Sequence, residues 1–130
     1  MLADHRKRGT RGFLTGAARP AGQYEATDMR NADPRWQPGN FEKNVEAVDR
    51  LAEIAAARGS TVSQLALASI LTRGEHIVPI PGTRSPRRIQ EYTGAADLTL
   101  IDTEIKAIDE ILPRGCFGAR YTKGDVPVWI

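Results

Sequence analysis

Apolar residues recur at helical spacing between positions 41 and 58. Phe41, Val45, Val48, Leu51, Ala52 and Ala55 fall on one side, with Glu and Lys/Arg on the other, which predicts an amphipathic helix from Phe41 to Arg58 that Gly59 stops. A second helix is expected to begin at Ser60 or Thr61, because Thr61-Val62-Ser63-Gln64 reads as a capping box. Leu65, Ala68, Ile70 and Leu71 carry it to about Thr72, and Gly74 ends it. The pattern then changes. Ile77-Val78-Pro79-Ile80 has no polar alternation, which suits a strand over 76–80 buried on both faces of a parallel sheet, although Pro79 brings no ladder N–H. A third helix is predicted from Ser85 to about Gly94. A fourth runs from about Asp102 to Leu112, with Ile101, Ile105, Ile108 and Leu112 on one face, Asp102 as candidate cap, and Pro113 and Gly115 as its close. Positions 16–40 carry Pro, Gly, Asn and Asp at turn-forming spacing and predict a long loop, of a length that in compact domains is usually functional.

The densest chemistry lies where the predicted strand meets the third helix, in Ile80-Pro81-Gly82-Thr83-Arg84-Ser85-Pro86-Arg87-Arg88-Ile89-Gln90-Glu91. Ser85 suits an N-cap and Pro86 the first helical position. A Gly-containing turn before a helix N-terminus offers free N–H groups and a favourable dipole to an anion. Arg84, Arg87 and Arg88 oppose that dipole, so an anion would offset them. The residues alone leave two readings open: a phosphate cradle, or a solvated basic helix end.

Composition narrows the class. At 130 residues, with 41% hydrophobic and 26% charged, the chain has the makeup of a globular domain. Its net charge of +2 gives no case for nucleic acid. The basic stretch His5, Arg6, Lys7, Arg8 and Arg11 is read as a solvated, disordered head over residues 1–10. No apolar run approaches a membrane span, and Met1-Leu2-Ala3-Asp4-His5 lacks a signal-peptide core. The lone cysteine, Cys116, allows no intramolecular disulfide and fits a reducing compartment, so a cytoplasmic location is expected. With His5 and His76 as the only histidines, no metal site is expected.

Several phrases resemble one family in order along the chain. Arg11-Gly12-Phe13-Leu14-Thr15-Gly16 is similar to a Gly-Arg-Gly-Phe-Leu-Thr-Gly loop, and 31–44, with Asn31, Pro34-Arg35-Trp36, Asn40-Phe41 and Asn44, is similar to an Asn-Pro-Arg-Phe linker ending in Asn-Phe-x-x-Asn. Gln64-Leu65-Ala66-Leu67-Ala68, the Ile80-Pro81-Gly82-Thr83 phrase and Gly118-Ala119-Arg120-Tyr121 complete the series. These resemble the aldo-keto reductases.

The resemblance implies an α/β fold: the C-terminal portion of a (β/α)8 TIM barrel, truncated in or after its seventh strand, with one clear parallel strand and four helices. Such a barrel usually takes about 250 residues. Residues 11–130 would be a partial aldo-keto reductase domain. It implies NADPH as cofactor and a small aldehyde or ketone as substrate. Gly12 would lie in the cofactor loop, Gly82, Thr83 and Arg84 would form the phosphate loop, Arg88 would meet the 2′-phosphate or adenine, and Glu91 would contact the adenosine. Tyr92 stands where the family has Asn, removing an amide that could pair with the adenine edge. The 16–40 loop would cross the cofactor as a lid.

The family's catalytic Tyr, with its Lys, Asp and His, lies on early strands that have no counterpart here. Tyr24, Tyr92 and Tyr121 match other parts of the family, so no catalytic residue is assigned. The isolated chain is expected to be partly helical, marginally stable and inactive, with a missing N-terminal half as a candidate partner. Two other classes remain: a non-catalytic module binding nucleotide or a partner through its helix faces, and, more weakly, nucleic-acid binding through the basic head and the two helices around Gly59.

Overall fold

Gly39 adopts φ +87°, a backbone state L side chains rarely occupy, and turns the chain into helix α1 (Asn40–Ala57). The Gly39 N–H donates to Glu42 Oε2 at 2.5 Å, satisfying an otherwise orphaned first-turn donor. Asn44, Ala47, Val48, Leu51 and Ala55 form its buried stripe, with Phe41 and Val45 packed at the margin. At the other end Gly59 takes φ +61°, and Ser60 N–H donates to Ala55 O at 2.9 Å, a left-handed stop of the kind glycine permits.

The structure, a computed structural model, describes residues 9–113 and 115–122. The basic head expected over residues 1–10 lies outside it as far as position 8, and Gly9–Thr15 is already a 3-10 turn. Helix α2 (Val62–Leu71) opens with the expected capping box: Gln64 N–H donates to Thr61 Oγ1 at 3.1 Å, and Thr61 N–H to Gln64 Oε1 at 3.0 Å. The chain bends by 84° between α1 and α2, so the two helices pack across each other. Helix α3 (Pro86–Thr93) follows, then a 3-10 turn over Gly94–Asp97 and helix α4 (Asp102–Ile111). The fourth helix begins one residue earlier in its capping than expected. Ile101 is the N-cap, Glu104 Oε2 accepts from its N–H at 2.9 Å, and Asp102 lies in the first turn, where its charge suits the dipole.

The predicted strand is the chief correction. Among the described residues none forms a strand; 77–80 is without regular structure, with Val78 73% and Ile80 69% exposed. A parallel strand exists only by pairing with neighbours, and no neighbouring strand is described for these four residues.

The core lies beneath α1. Phe13, Leu14, Trp36, Leu51, Ala55, Leu65, Leu100 and Ile111 are buried in one cluster. The Phe13 and Trp36 rings approach to 4.2 Å between centroids, and Phe41 closes the group at 5.6 Å from Phe13. Trp36 Nε1–H donates to Arg19 O at 3.1 Å, so the indole is buried with its polar edge paired. Helices α2 and α4 pack against α1, and α3 against α2. Arg58 fastens the base of α1 to α4, donating to Glu104 Oε1 at 2.9 Å and to Thr99 O at 2.7 Å.

The 16–40 segment is a loop but not a structureless one. Three short 3-10 turns, Ala21–Gln23, Met29–Asn31 and Pro34–Trp36, punctuate it. Asp28 and Asp33 cap the second and third, their carboxylates accepting from Arg30 N–H and Arg35 N–H at 2.9 Å each. Short acidic side chains are suited to this local bond. No single helix among the described residues is long and apolar enough to cross a membrane.

Candidate functional site

A cavity of about 620 Å³ opens between the first turn, the 16–40 loop and the α3 end of the chain. That volume falls within the range of small-molecule sites. Gly12, Leu14 and Thr15 supply one wall. Asp28, Met29 and Arg30 supply the second. Ala66, Leu67 and Ile70 of α2 form an apolar floor beside Ser63, and Pro79 to Gly82, with Arg88 and Tyr92 of α3, close the far side.

The sequence-predicted residues divide here. Gly12, Gly82, Arg88 and Tyr92 line the same cavity, although 70 residues separate the first two. Gly12 has φ +110°, so a side chain there is strained whatever room exists. The turn is held by Thr15 Oγ1, which donates to Gly12 O at 2.6 Å, and by Ser63 Oγ, which donates to Leu14 O at 3.3 Å.

Thr83, Arg84 and Glu91 are not among the lining residues. Thr83 Oγ1 accepts from Ser85 N–H at 3.1 Å, holding the turn into α3. Ser85 occupies the N-cap position, yet its side chain makes no capping bond, a correction to its expected role. Arg84 and Arg87 are exposed. Glu91 faces α2: its Oε1 accepts from Thr61 Oγ1 at 2.7 Å, and its carbonyl accepts from Gln64 Nε2 at 2.9 Å. The capping box of α2 is thus bonded to the helix that carries Arg88.

The 16–40 loop, expected to cross the cofactor, supplies a wall of the cavity through Asp28, Met29 and Arg30, residues that sequence reasoning did not single out. Arg30 and Asp28 form a fork-to-fork pair, with Nε to Oδ1 at 2.9 Å and Nη2 to Oδ2 at 2.6 Å. The guanidinium carbon stands 3.7 Å from the Tyr24 ring centroid, a stacked cation–π contact. Tyr24 Oη in turn accepts from Arg19 N–H at 2.9 Å. The hydrogen bond from the Arg30 side chain holds the Asp28 carboxyl down at about 2, and the same bond raises the Arg30 pKa. Burial pushes the Tyr24 phenol up, but the Arg19 backbone bond and the Arg30 charge together lower it. The resemblance pointed to the loop, and an Asp-x-Arg spacing within it, Asp28-Met29-Arg30, is the local signal for the pair.

The arrangement is suited to binding. Two arginines, Arg30 and Arg88, stand on the walls of a mostly apolar cavity, with glycine backbone at Gly12 and Gly82 leaving room for close approach; a Cβ at either glycine would meet nothing within 4 Å. Among the described residues, no three His, Cys, Asp or Glu side chains gather as they would around a metal ion.

Comparison with known proteins identifies the family. A model of the aldo/keto reductase family matches residues 10–113. The chain is 41% identical over 115 residues to aldo-keto reductase yakc [NADP(+)] of Schizosaccharomyces pombe, covering 88% of this chain and 34% of that protein. It is 37% identical to probable aldo-keto reductase 1 of Glycine max, over 72% of this chain and 27% of that one. The glycerol dehydrogenase AKR11B4 from Gluconobacter oxydans superposes with a TM-score of 0.72 at 30% identity, covering 90% of this chain and 35% of its own. The chain therefore spans about a third of the length of these relatives, and its helices correspond to part of an aldo-keto reductase TIM barrel. With four-fifths of its length matched by the family and its cavity walls drawn from the matched residues, the chain belongs to the aldo/keto reductase family of oxidoreductases.

Proposed function

We propose that this chain forms the cofactor-holding portion of an NADPH-dependent oxidoreductase that reduces aldehydes or ketones to alcohols. The observation that carries the reading is the convergence of Gly12, Gly82 and Arg88 on one cavity. The residues fit the group. Arg88 is a planar cation suited to a phosphate monoester, the backbone at Gly12 and Gly82 admits close approach, and the Ala66, Leu67 and Ile70 floor offers an apolar bed for a purine. The 2′-phosphate of the adenosine would lie against Arg88, with Tyr92 offering a ring face where an amide would have paired with the base.

When bound, NADPH supplies the hydride for carbonyl reduction. This chain's part is to hold and orient it, since none of its described residues resembles the family's catalytic set. The acid–base residues would come from the remainder of a barrel. The exposed Val78 and Ile80 mark where that remainder would dock, by pairing strands on either side of 77–80. Alone, the chain is expected to bind cofactor without turning over substrate, in the reducing cytoplasm that a lone cysteine, Cys116, suits.

The test is a titration of the chain with NADPH and with NADH. Native chain should prefer NADPH, and Arg88→Ala should weaken NADPH binding about tenfold, the value of one hydrogen bond to a charged group, while leaving NADH binding unchanged. Equal affinities for the two dinucleotides in the native chain would remove the 2′-phosphate from Arg88 and sink the reading.

A further inference from the structure

The cavity's second arginine is engaged by a carboxylate rather than by a ligand, and its setting is unlike that of a surface ion pair. Arg30 is pressed flat on Tyr24, with its carbon 3.7 Å from the ring centroid, and Tyr24 is anchored by the Arg19 backbone. The ring fixes the plane of the guanidinium and leaves its hydrogen-bonding edge to a carboxylate-shaped partner. That partner is Asp28, which bonds Nε and Nη2. Both side chains line the cavity and both remain reachable by solvent, at 29% and 22% exposure.

The turn does not depend on this fork. Asp28 Oδ1 also caps Met29–Asn31 through the Arg30 N–H, and that bond persists if the guanidinium turns to another anion. A dinucleotide phosphate carries two separated anionic groups, the 2′-phosphate and the diphosphate bridge. The cavity offers two cations on different walls, Arg88 on α3 and Arg30 on the loop.

We infer that Arg30 is a second phosphate-binding cation of this cavity, oriented by Tyr24, and that the diphosphate bridge of the dinucleotide displaces Asp28 from it. The inference rests on the nucleotide reading of the cavity and adds a residue, a competitor and a sign to it. Asp28 acts against the ligand twice, by occupying the Arg30 fork and by placing negative charge on the wall the diphosphate approaches. Arg30 meets a group common to NADPH and NADH, whereas Arg88 meets one that only NADPH has.

The experiment is calorimetric titration of native chain, Asp28→Asn, Arg30→Ala and Arg88→Ala with NADPH and NADH, circular dichroism confirming matched helicity. Arg30→Ala should weaken both dinucleotides about tenfold, and Asp28→Asn, which keeps the Oδ1 acceptor for the turn, should tighten both. If the pair merely braces the loop, the two substitutions break the same brace and weaken binding together; that result, or native affinity in Arg30→Ala, overturns the inference. Should Arg30→Ala fail to fold, Asp28→Asn decides alone: tighter binding supports the displacement, weaker or unchanged binding refutes it. Absence of binding of either dinucleotide to the native chain overturns the nucleotide reading and this inference with it.

Discussion

Asn44 and Phe117, 73 positions apart, share a two-way hydrogen bond. The Phe117 N–H donates to Asn44 Oδ1 at 2.8 Å, and Asn44 Nδ2 donates back to Phe117 O at 2.9 Å and to Arg35 O at 3.2 Å. The amide imitates a strand partner for one residue of the tail. It does so from the buried stripe of α1, at 1% exposure, where a polar group is tolerated only when satisfied. Beside it Gly118 takes φ +94°, and a Cβ there would lie 2.8 Å from Pro34 O, so the tail can approach the Pro34–Trp36 turn this closely only as glycine. One side chain thereby joins the helix, the linker turn and the tail.

Replacing Asn44 should therefore cost more than its size suggests. Asn44→Ala strips partners from the part-buried Phe117 N–H and from the Phe117 and Arg35 carbonyls, an expected loss of about 2–3 kcal/mol. Asn44→Asp restores the acceptor for Phe117 but turns an oxygen toward both carbonyls, and should be no more stable than Asn44→Ala. Urea melts followed by far-ultraviolet circular dichroism give the ordering; an Asp variant close to native stability would mean that the donor half of the amide contributes little.

The Asp28–Arg30 pair predicts an acid-side dependence. The Asp28 carboxyl is lowered from 3.8 to about 2 by its hydrogen bonds to Arg30. A depressed carboxyl contributes stability that is fully present above its unfolded value and is lost as pH falls through the folded one. Part of the thermal stability should thus disappear between about pH 4 and pH 2, and Asp28→Asn should flatten the curve in that window. The group is solvent-facing, so salt should shrink the effect. A native and a variant profile of the same slope would show that the pair adds nothing to folding.

The helices were legible in the sequence because their signals are local. The stripe from Phe41 to Ala55, the Thr61–Gln64 box and the Gly59 stop each need only neighbours within a turn or two. The stretch 77–80 failed for the complementary reason. Its apolar run states that it belongs in a sheet, but strand formation requires partners that no local pattern supplies. The cavity was half legible. Gly82 and Arg88 stood out beside a helix start, and the family resemblance pointed to Gly12. Arg30 did not, since its meaning depends on a wall more than 50 residues away and on a Tyr24 stack that no periodicity encodes. Asn44 belonged to a recognisable phrase, yet only the folded tail shows what its amide does.

Glu91 offers the sharpest separation between an inherited role and an observed one. The family resemblance implies contact with adenosine, whereas here its Oε1 accepts from Thr61 Oγ1 at 2.7 Å and it lies off the cavity lining. That bond joins the N-cap of α2 to α3 two turns or less from Arg88. If the carboxylate serves the helix pair, Glu91→Gln keeps an oxygen acceptor for Thr61 and should leave both stability and NADPH affinity close to native. Thr61→Ala should cost about 1 kcal/mol as a lost cap and should lower affinity as well, by loosening α3. If Glu91 instead meets the ribose or base, the order reverses: Glu91→Gln weakens NADPH binding with no change in melting temperature, and Thr61→Ala lowers melting temperature with affinity intact. Measuring both quantities on both variants separates the two, because a positioning contact couples stability to binding and a ligand contact does not.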